Sequence, residues 1–406
     1  MKIVVLKFGG TSVGTLEKIK NVAKIITEYK RKKYQVIVVS SAMSGVTNDL
    51  ISKSKKISPN FSESEYDSLV SSGEQIACSL IAGRLIHKGY KSRSWLAWQI
   101  PILTKGIHKN SRIFQVNKKK IIKYLKEGGI PIITGFQGIN ENQRVTTIGR
   151  GGSDATAIVL AKFFKANRCV IYTDVEGVYT TDPNKLNKAK KIKVISYEEM
   201  LEMASLGAKV MQPVSIQDAR LNRVDIEVKS SFIKKPGTLI TKRSNIINSK
   251  IITGISSTQN DSKVSLIGVK DKPGVAASIF KPLSKKSINV DMVVQNISAN
   301  GKETDLTSTI KTEDLNKTKK IIKENKNINF RKLLFEKGVS KISIIGVGMV
   351  TTPGVTFRMF QTLANKKINI QVISTSEIKI SVLIDKKDTK KALIALHKEF
   401  KLDNKK

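Results

Sequence analysis

Lys7-Phe8-Gly9-Gly10-Thr11-Ser12 closes an apolar run at residues 3–8 and precedes an amphipathic stretch at 16–32. Backbone amides at a helix start can cradle an anion, and glycines let that backbone approach closely. Lys7 adds positive charge at a strand end, where ligands of α/β sheets bind. The GxxxxGK[ST] pattern of a Walker loop is absent. Alone, the segment fits either a phosphate cradle or a structural turn with a solvated lysine. A second grouping, Thr146 to Asp154 (TTIGRGGSD), sets Arg150 among three glycines before Ser153-Asp154 opens a helix. An arginine fork there suits a carboxylate or phosphate in bidentate geometry. Ser153 as N-cap and Asp154 on the helix dipole are compatible lesser roles. Tyr172 to Tyr179 (YTDVEGVY), followed by Thr181-Asp182-Pro183, gathers hydroxyls and carboxylates suited to ribose, phosphate or magnesium, or else forms a polar loop closed by Asp-Pro. Ser40 to Thr47 is another hydroxyl cluster at a strand-to-turn junction, and Ser72-Gly73-Glu74 sets a carboxylate in or before a helix.

The elements that must hold these groups alternate between apolar runs and helical patterns, the mark of α/β architecture. Residues 3–8 and 35–40 read as strands, and 130–134 and 169–173 are short β-branched runs of the kind that lie centrally in a largely parallel sheet. Helices are expected at 16–32, 64–87 and 153–165. The glycine-rich loops thus fall where strands hand over to helices.

The second half contains a repeat. KVSLIGV at Lys263–Val269 matches KISIIGV at Lys341–Val347, Pro273-Gly274-Val275 matches Pro353-Gly354-Val355, and Ile288-Asn289-Val290 matches Ile368-Asn369-Ile370. Each copy reads as strand, turn, helix, strand, a small βαβ unit, and two copies imply paired modules. The polar segment 230–249, with its Pro236-Gly237 turn, is the natural boundary. Chemistry is expected before it and regulation after it.

At 406 residues the chain has room for two or three domains, and its 40% hydrophobic content suffices for ordinary cores. No apolar stretch approaches the roughly 18 residues of a membrane span. The opening MKIVVLKFGG reads as a buried strand and not as a signal peptide. Cys78 and Cys169 resemble neither a disulfide framework nor a zinc spacing, and His87, His108 and His397 are too scattered to build a metal site. A soluble intracellular protein is expected. The net charge of +39 is the loudest compositional signal, yet the lysines are dispersed and aromatics are only 6%, without the interleaving that base stacking needs. Charge alone speaks to solubility and nonspecific attraction, so no dedicated nucleic-acid partner is expected.

Taken in order, KFGGTSVG, SSAMSGVTN, SSGEQIA, TTIGRGGSDATA, YTDVEGVYTTDP and GAKV resemble the successive motifs of aspartokinases, and the resemblance runs essentially from Met1 to the C-terminus. KFGG combined with GRGGSD is highly specific. The repeated modules resemble ACT domains, small amino-acid-sensing units, and the single-function aspartokinases with two such modules are most similar. The resemblance implies an α/β amino-acid-kinase-like αβα sandwich with a mostly parallel central sheet over 1–245. Two ferredoxin-like ACT modules would follow at 260–335 and 336–406, with a strand from 250–259 as a candidate to complete the last.

It further implies a cytoplasmic enzyme that moves the γ-phosphoryl group of ATP, with Mg2+, onto the β-carboxylate of L-aspartate. The product would be 4-phospho-L-aspartate, in the first step toward lysine, threonine and methionine. Lysine, threonine or both would inhibit through the ACT modules, which would also join the chain into a homodimer or higher oligomer. Carried over residue by residue, Lys7 would stabilise transition-state charge and Asp154 would orient Lys7 or the magnesium assembly. The Phe8, Gly9 and Gly10 backbone, Ser41, Thr173, Asp174, Tyr179 and Lys209 would hold the nucleotide, with no metal site built from protein ligands alone. Arg150 would clamp a substrate carboxylate, Glu74 would meet the ammonium, and Thr47 and Ser153 would complete the hydrogen bonds. Where the family commonly has arginine after Asp-Pro, this chain has Asn184, with Lys185 as the candidate substitute. Asp271, Gly274, Ala276 and Gln295 of the first module, and Asn369 and Ile370 of the second, match effector-site positions. A glutamate or acetylglutamate kinase of the same fold, and an amino-acid sensor with an inactive kinase unit, are the competing readings. Glu74, Arg150 and the paired modules argue against the first, and intact Lys7, Arg150, Asp154 and Asp174 against the second.

Overall fold

The computed structural model describes residues 2–207, 210–246, 250–297, 303–325 and 328–403. The chain divides into two compact units, one of residues 1–178 with 191–248 and one of residues 179–190 with 249–406.

The first unit is built on an eight-stranded sheet. Its order is Val194–Ser196, Thr238–Thr241, Ile226–Ser230, Arg168–Thr173, Ile3–Phe8, Gln35–Ser40, Ile130–Thr134 and Ser92–Trp95. All neighbours are parallel except Thr238–Thr241, which runs antiparallel to Ile226–Ser230. The central strand Ile3–Phe8 is buried throughout, as an uninterrupted apolar run in a sheet covered on both faces must be. One layer over it is formed by helix Leu16–Arg31 and the long helix Glu63–His87, whose Ile19, Val22, Ile26, Cys78, Ile81 and Leu85 meet Val4, Leu6 and Val38 in one core. Helix Gly152–Phe163 packs on the sheet as well and is buried from Gly152 to Ala161, which explains its lack of a polar face.

Register aligns the strand ends that carry the motifs: Phe8 lies opposite Ser40 on one side and Tyr172 on the other, and Ser40 lies opposite Thr134. From Ile3–Phe8 the chain moves to one neighbour and only later returns to the other. The crevice above Phe8 is therefore a topological switch point, where open α/β sheets bind ligands. A four-stranded sheet (Arg112–Val116, Ile102–Lys105, Gln137–Ile139, Val145–Thr147) and helix Val46–Ile57 were not anticipated; their strands are too short for periodicity to register.

The second unit has a six-stranded antiparallel sheet, ordered Val290–Ile297, Glu303–Lys311, Gly254–Lys270, Lys332–Ile345, Lys379–Asp385 and Val372–Ser376. The two long central strands each serve both copies of the repeat: Gly254–Thr258 pairs with Lys341–Ile345, while Asp261–Lys270 pairs with Glu303–Lys311. The expected βαβ unit is split in each copy, because the strand after the helix pairs with an inserted antiparallel strand and not with the strand before it. The matched positions are also matched in burial. Val275, Ile279 and Leu283 face one core, and Val355, Met359 and Leu363 face the other. Segment 179–190 belongs to this unit. Ile255 donates its amide to the Thr180 carbonyl at 2.7 Å, Thr180 Oγ and His397 Nε2 hydrogen-bond at 2.9 Å, and Lys185 Nζ donates to Ser257 O and Oγ at 3.1 and 3.0 Å.

Candidate active site

The centre of the crevice is an ion pair. Lys7 Nζ lies 2.6 Å from Asp154 Oδ1, both residues only 8% exposed. Lys7 arrives from the central strand and Asp154 from the first turn of helix Gly152–Phe163, so two rigid elements fix the pair. An ammonium carries three donors, so one contact with Asp154 leaves others available to a phosphoryl oxygen. Gly9 donates its amide to the Tyr172 carbonyl (3.1 Å), and Ser41 donates its amide to the Phe8 carbonyl (3.0 Å). The Phe8 side chain is core, stacked on Tyr172 with centroids 4.9 Å apart, so only its backbone faces the loop. At Gly10 a Cβ would sit 3.0 Å from the Ala42 carbonyl, so the glycine lets the loops at 9–12 and 41–45 meet.

Glu74 is buried and accepts the Ala42 amide through Oε1 at 3.0 Å, whereas Oε2 has no hydrogen-bond partner. Burial pushes its carboxyl up to about 8, against the opposing pull of the Ala42 amide. A carboxylate oxygen left open in a buried place is suited to a cationic ligand. Thr47 is half-buried in the first turn of helix Val46–Ile57. A few residues away, Gly73 closes the helix Glu63–His87 onto this segment, since a Cβ there would lie 2.8 Å from Ala42 Cβ.

Arg150 is exposed at the tip of a turn between Gly149 (φ 79°) and Gly151 (φ 78°), left-handed conformations that explain the paired glycines. Gly151, not Ser153, is the N-cap of the helix; Ser153 is its second residue and is buried. Thr173 ends its strand and donates to Asp174 Oδ1 at 3.1 Å, with Asp174 exposed. Tyr179 and Asn184 fall in the second unit. Asn184 there donates its backbone amide to Asp182 Oδ1 at 2.9 Å, and the Lys185 ammonium donates to Ser257 O and Oγ at 3.1 and 3.0 Å. Lys209 lies outside the described residues.

Asp67 was missed in the sequence. It is fully buried, and its carboxylate meets His108 Nδ1 at 2.6 Å and Thr147 Oγ at 2.6 Å and accepts the Lys109 amide at 3.1 and 3.2 Å. An available signal was its place seven residues before Glu74, two turns along the same helix.

In the second unit Asp271, Gly274, Ala276 and Gln295 line one groove of about 530 Å³ at the start of helix Val275–Lys285. Asn369 and Ile370 are not in it. Asn369 is exposed, just before Ile370, which packs against the core of the second copy. Among the described residues no three His, Cys, Asp or Glu side chains cluster as a metal site, and no helix is long and apolar enough to cross a membrane.

A parallel sheet with a buried lysine–aspartate pair at its switch point, joined to a repeated sensor-like unit, defines a regulated small-molecule kinase. Residues 2–230 match the amino acid kinase family, and residues 264–325 and 342–400 match the ACT domain. The chain is 44% identical to an aspartate kinase of Stutzerimonas stutzeri and 42% identical to aspartokinase 2 of Bacillus subtilis, covering 99% of this chain and 98% of each relative. Its fold matches Escherichia coli aspartokinase III in complex with aspartate and ADP, with a TM-score of 0.78 and 26% identity, covering 98% of this chain and 99% of the other. The same enzyme in complex with lysine and aspartate gives 0.82 and 25%. The chain belongs to the aspartokinases, ATP-dependent kinases with a carboxyl acceptor.

Proposed function

We propose that the crevice above Phe8 transfers the γ-phosphoryl group of ATP to the β-carboxylate of L-aspartate, giving 4-phospho-L-aspartate, the activated intermediate that opens lysine, threonine and methionine synthesis. The observation that carries this reading is the Lys7–Asp154 pair, a cation fixed at the switch point of the sheet. An aspartate carboxylate is ionised at neutral pH, so the nucleophile needs no general base. The work left for the protein is positioning and charge neutralisation over the equatorial phosphoryl oxygens.

Lys7 supplies that charge, and Asp154 holds its ammonium in place. Mg2+ travels with the ATP phosphates and needs only one or two protein carboxylates; the exposed Asp174 at the strand end is of the right type. Thr173 and the loop backbone at Phe8–Gly10, with Ser41, serve the nucleotide, and Tyr179 and Asn184 are proposed as further contacts. Arg150 clamps a carboxylate of aspartate, Glu74 receives its ammonium through the open Oε2, and Thr47 and Ser153 complete the set. That an aspartokinase was solved with aspartate and ADP supports this choice of ligands.

In the second unit we assign the groove at Asp271–Gln295 to an inhibitory amino acid, lysine or threonine. Its acid, side-chain amide and helix-start backbone complement an ammonium and a carboxylate. The solved complex of a relative with lysine supports lysine first. Homodimerisation through this unit, whose outer strands Val290–Ile297 and Val372–Ser376 have no further strand partner among the described residues, completes the reading.

The deciding experiment is acylphosphate formation trapped as the hydroxamate, with aspartate, glutamate and acetylglutamate compared at fixed Mg-ATP, without and with lysine and threonine. Selective turnover of aspartate is expected; none in folded protein refutes the assignment.

A further inference from the structure

We infer that Asp67 is a positioning residue for the acceptor end of the site, fixing the loop that presents Arg150 to the helix that presents Glu74. This rests on the aspartate-kinase reading above. Asp67 and Glu74 share helix Glu63–His87 and, two turns apart, one face of it. Between them Gln137 Nε2 donates to the Ser71 carbonyl at 2.9 Å, a further tie from the small sheet to the same helix.

The Arg150 turn is closed by the Gly152 amide on the Gly149 carbonyl at 3.0 Å and backed by Ser215 Oγ on the Gly151 carbonyl at 3.2 Å, but its side chain has no hold of its own. Arg150 is exposed and makes no hydrogen bond or ion pair among the described residues, so the loop sets its direction. That loop is anchored three residues earlier. Thr147 donates its hydroxyl to Asp67, and its carbonyl accepts the Ser111 amide at 3.0 Å. The segment 107–111 is itself pinned by Asp67 through His108 Nδ1 and the Lys109 amide, with Lys109 in a left-handed conformation (φ 65°). It also abuts the arginine turn, since a Cβ on Gly149 would lie 3.1 Å from the Lys109 carbonyl. The arginine turn lies near the same helix. Burial raises the pKa of Tyr66, next to Asp67, and the charges of Lys109 and Arg150 pull it back. One carboxylate thus carries three donors that, with the Ile148 amide on the Phe136 carbonyl at 3.0 Å, fix where the Arg150 turn begins.

A purely structural hub would lower stability and leave substrate preference unchanged; a positioning hub acts on the acceptor and spares the nucleotide. The test uses the full chain, varying aspartate and ATP separately in the hydroxamate assay and recording thermal midpoints. Thr147→Val removes the hydroxyl at constant shape, and Asp67→Asn removes an acceptor at constant size. In both, the KM for aspartate is expected to rise about tenfold or more while the KM for ATP stays within about twofold. Thr147→Ser should restore the wild-type value. A folded Thr147→Val protein with unchanged aspartate KM, or with both KM values rising together, overturns the inference, even where Asp67→Asn does not fold. Wild-type protein that fails to turn over aspartate overturns the parent reading instead, and does so before any variant is made.

Discussion

The two candidate sites, one in each unit, treat charge in opposite ways. In the first, Lys7, Asp154, Glu74 and Asp67 are all buried, each fixed to another element. In the second, the groove at Asp271 and Gln295 is open and its side chains are exposed. Chemistry needs its groups in place before the substrate arrives, because reorganisation during reaction raises the barrier. A sensor needs only a difference in affinity between two states, which an open site can supply. Within the second unit the contrast recurs between the two copies. Pro-Gly-Val and the buried helix positions persist, but Asp271 is matched by Thr351 and Ala277 by the exposed Phe357, while the neighbouring Arg358 is tied to Glu399 at 2.8 Å. The scaffold repeats; the ligand chemistry does not.

Lys7→Ala should break the buried side of this contrast most severely, lowering kcat by about 10²–10³ in the hydroxamate assay. It also strands Asp154 without its counter-charge, at a cost of about 3–5 kcal/mol in chemical denaturation. Adding Asp154→Asn should recover that stability without the rate, and recovery of both would remove Lys7 from the chemistry. Next in size, Arg150→Ala should raise the KM for aspartate by about 10–100-fold with unchanged stability, and Arg150→Lys should rescue little because a point charge lacks the bidentate fork.

Glu74 sharpens the comparison through protons. With its carboxyl at about 8 it is mostly neutral at pH 7, and an arriving ammonium should ionise it. Calorimetry in buffers of different ionisation heats should show close to one proton released per aspartate bound, and none in Glu74→Gln. In the free protein the raised value favours the folded state fully below the ordinary carboxylate range, and that contribution is lost as pH rises through about 8. The wild-type thermal midpoint should therefore decline between pH 5 and 8 more steeply than that of Glu74→Gln; equal slopes would place the titration elsewhere.

The smallest effect tests the open side. Asp271→Ala should weaken inhibition by the effector about tenfold while kcat holds, whereas Thr351→Ala should leave inhibition unchanged. Equal loss in both variants would make the copies equivalent sensors.

Lys7, the glycine turns and, to within a residue or two, the helix Gly152–Phe163 expected at 153–165 were legible because strand ends and glycines punctuate the sequence at short range. The repeat was legible because its buried positions keep their spacing. Asp67 was not, since a lone aspartate inside a helical pattern looks like a solvated residue, and its partners lie 41 and 80 residues away. His108 and His397 were read as scattered; one meets Asp67 and the other meets Thr180, pairings that only tertiary structure creates. The membership of residues 179–190 in the second unit was equally hidden, because a segment within the kinase motifs gives no local sign of joining a later strand.

That membership has a consequence for how the protein is made. Thr180 Oγ accepts the Lys190 amide at 3.0 Å and shares a hydrogen bond with Nε2 of His397, a buried ring 217 residues further along the chain. At about 5–20 residues per second, a ribosome reaches that histidine about 10–40 s after the threonine. Throughout that interval the Thr180 hydroxyl waits for a partner that arrives only with helix Thr389–Glu399, whereas Ile255 and Ser257, which hold Thr180 and Lys185, emerge far earlier.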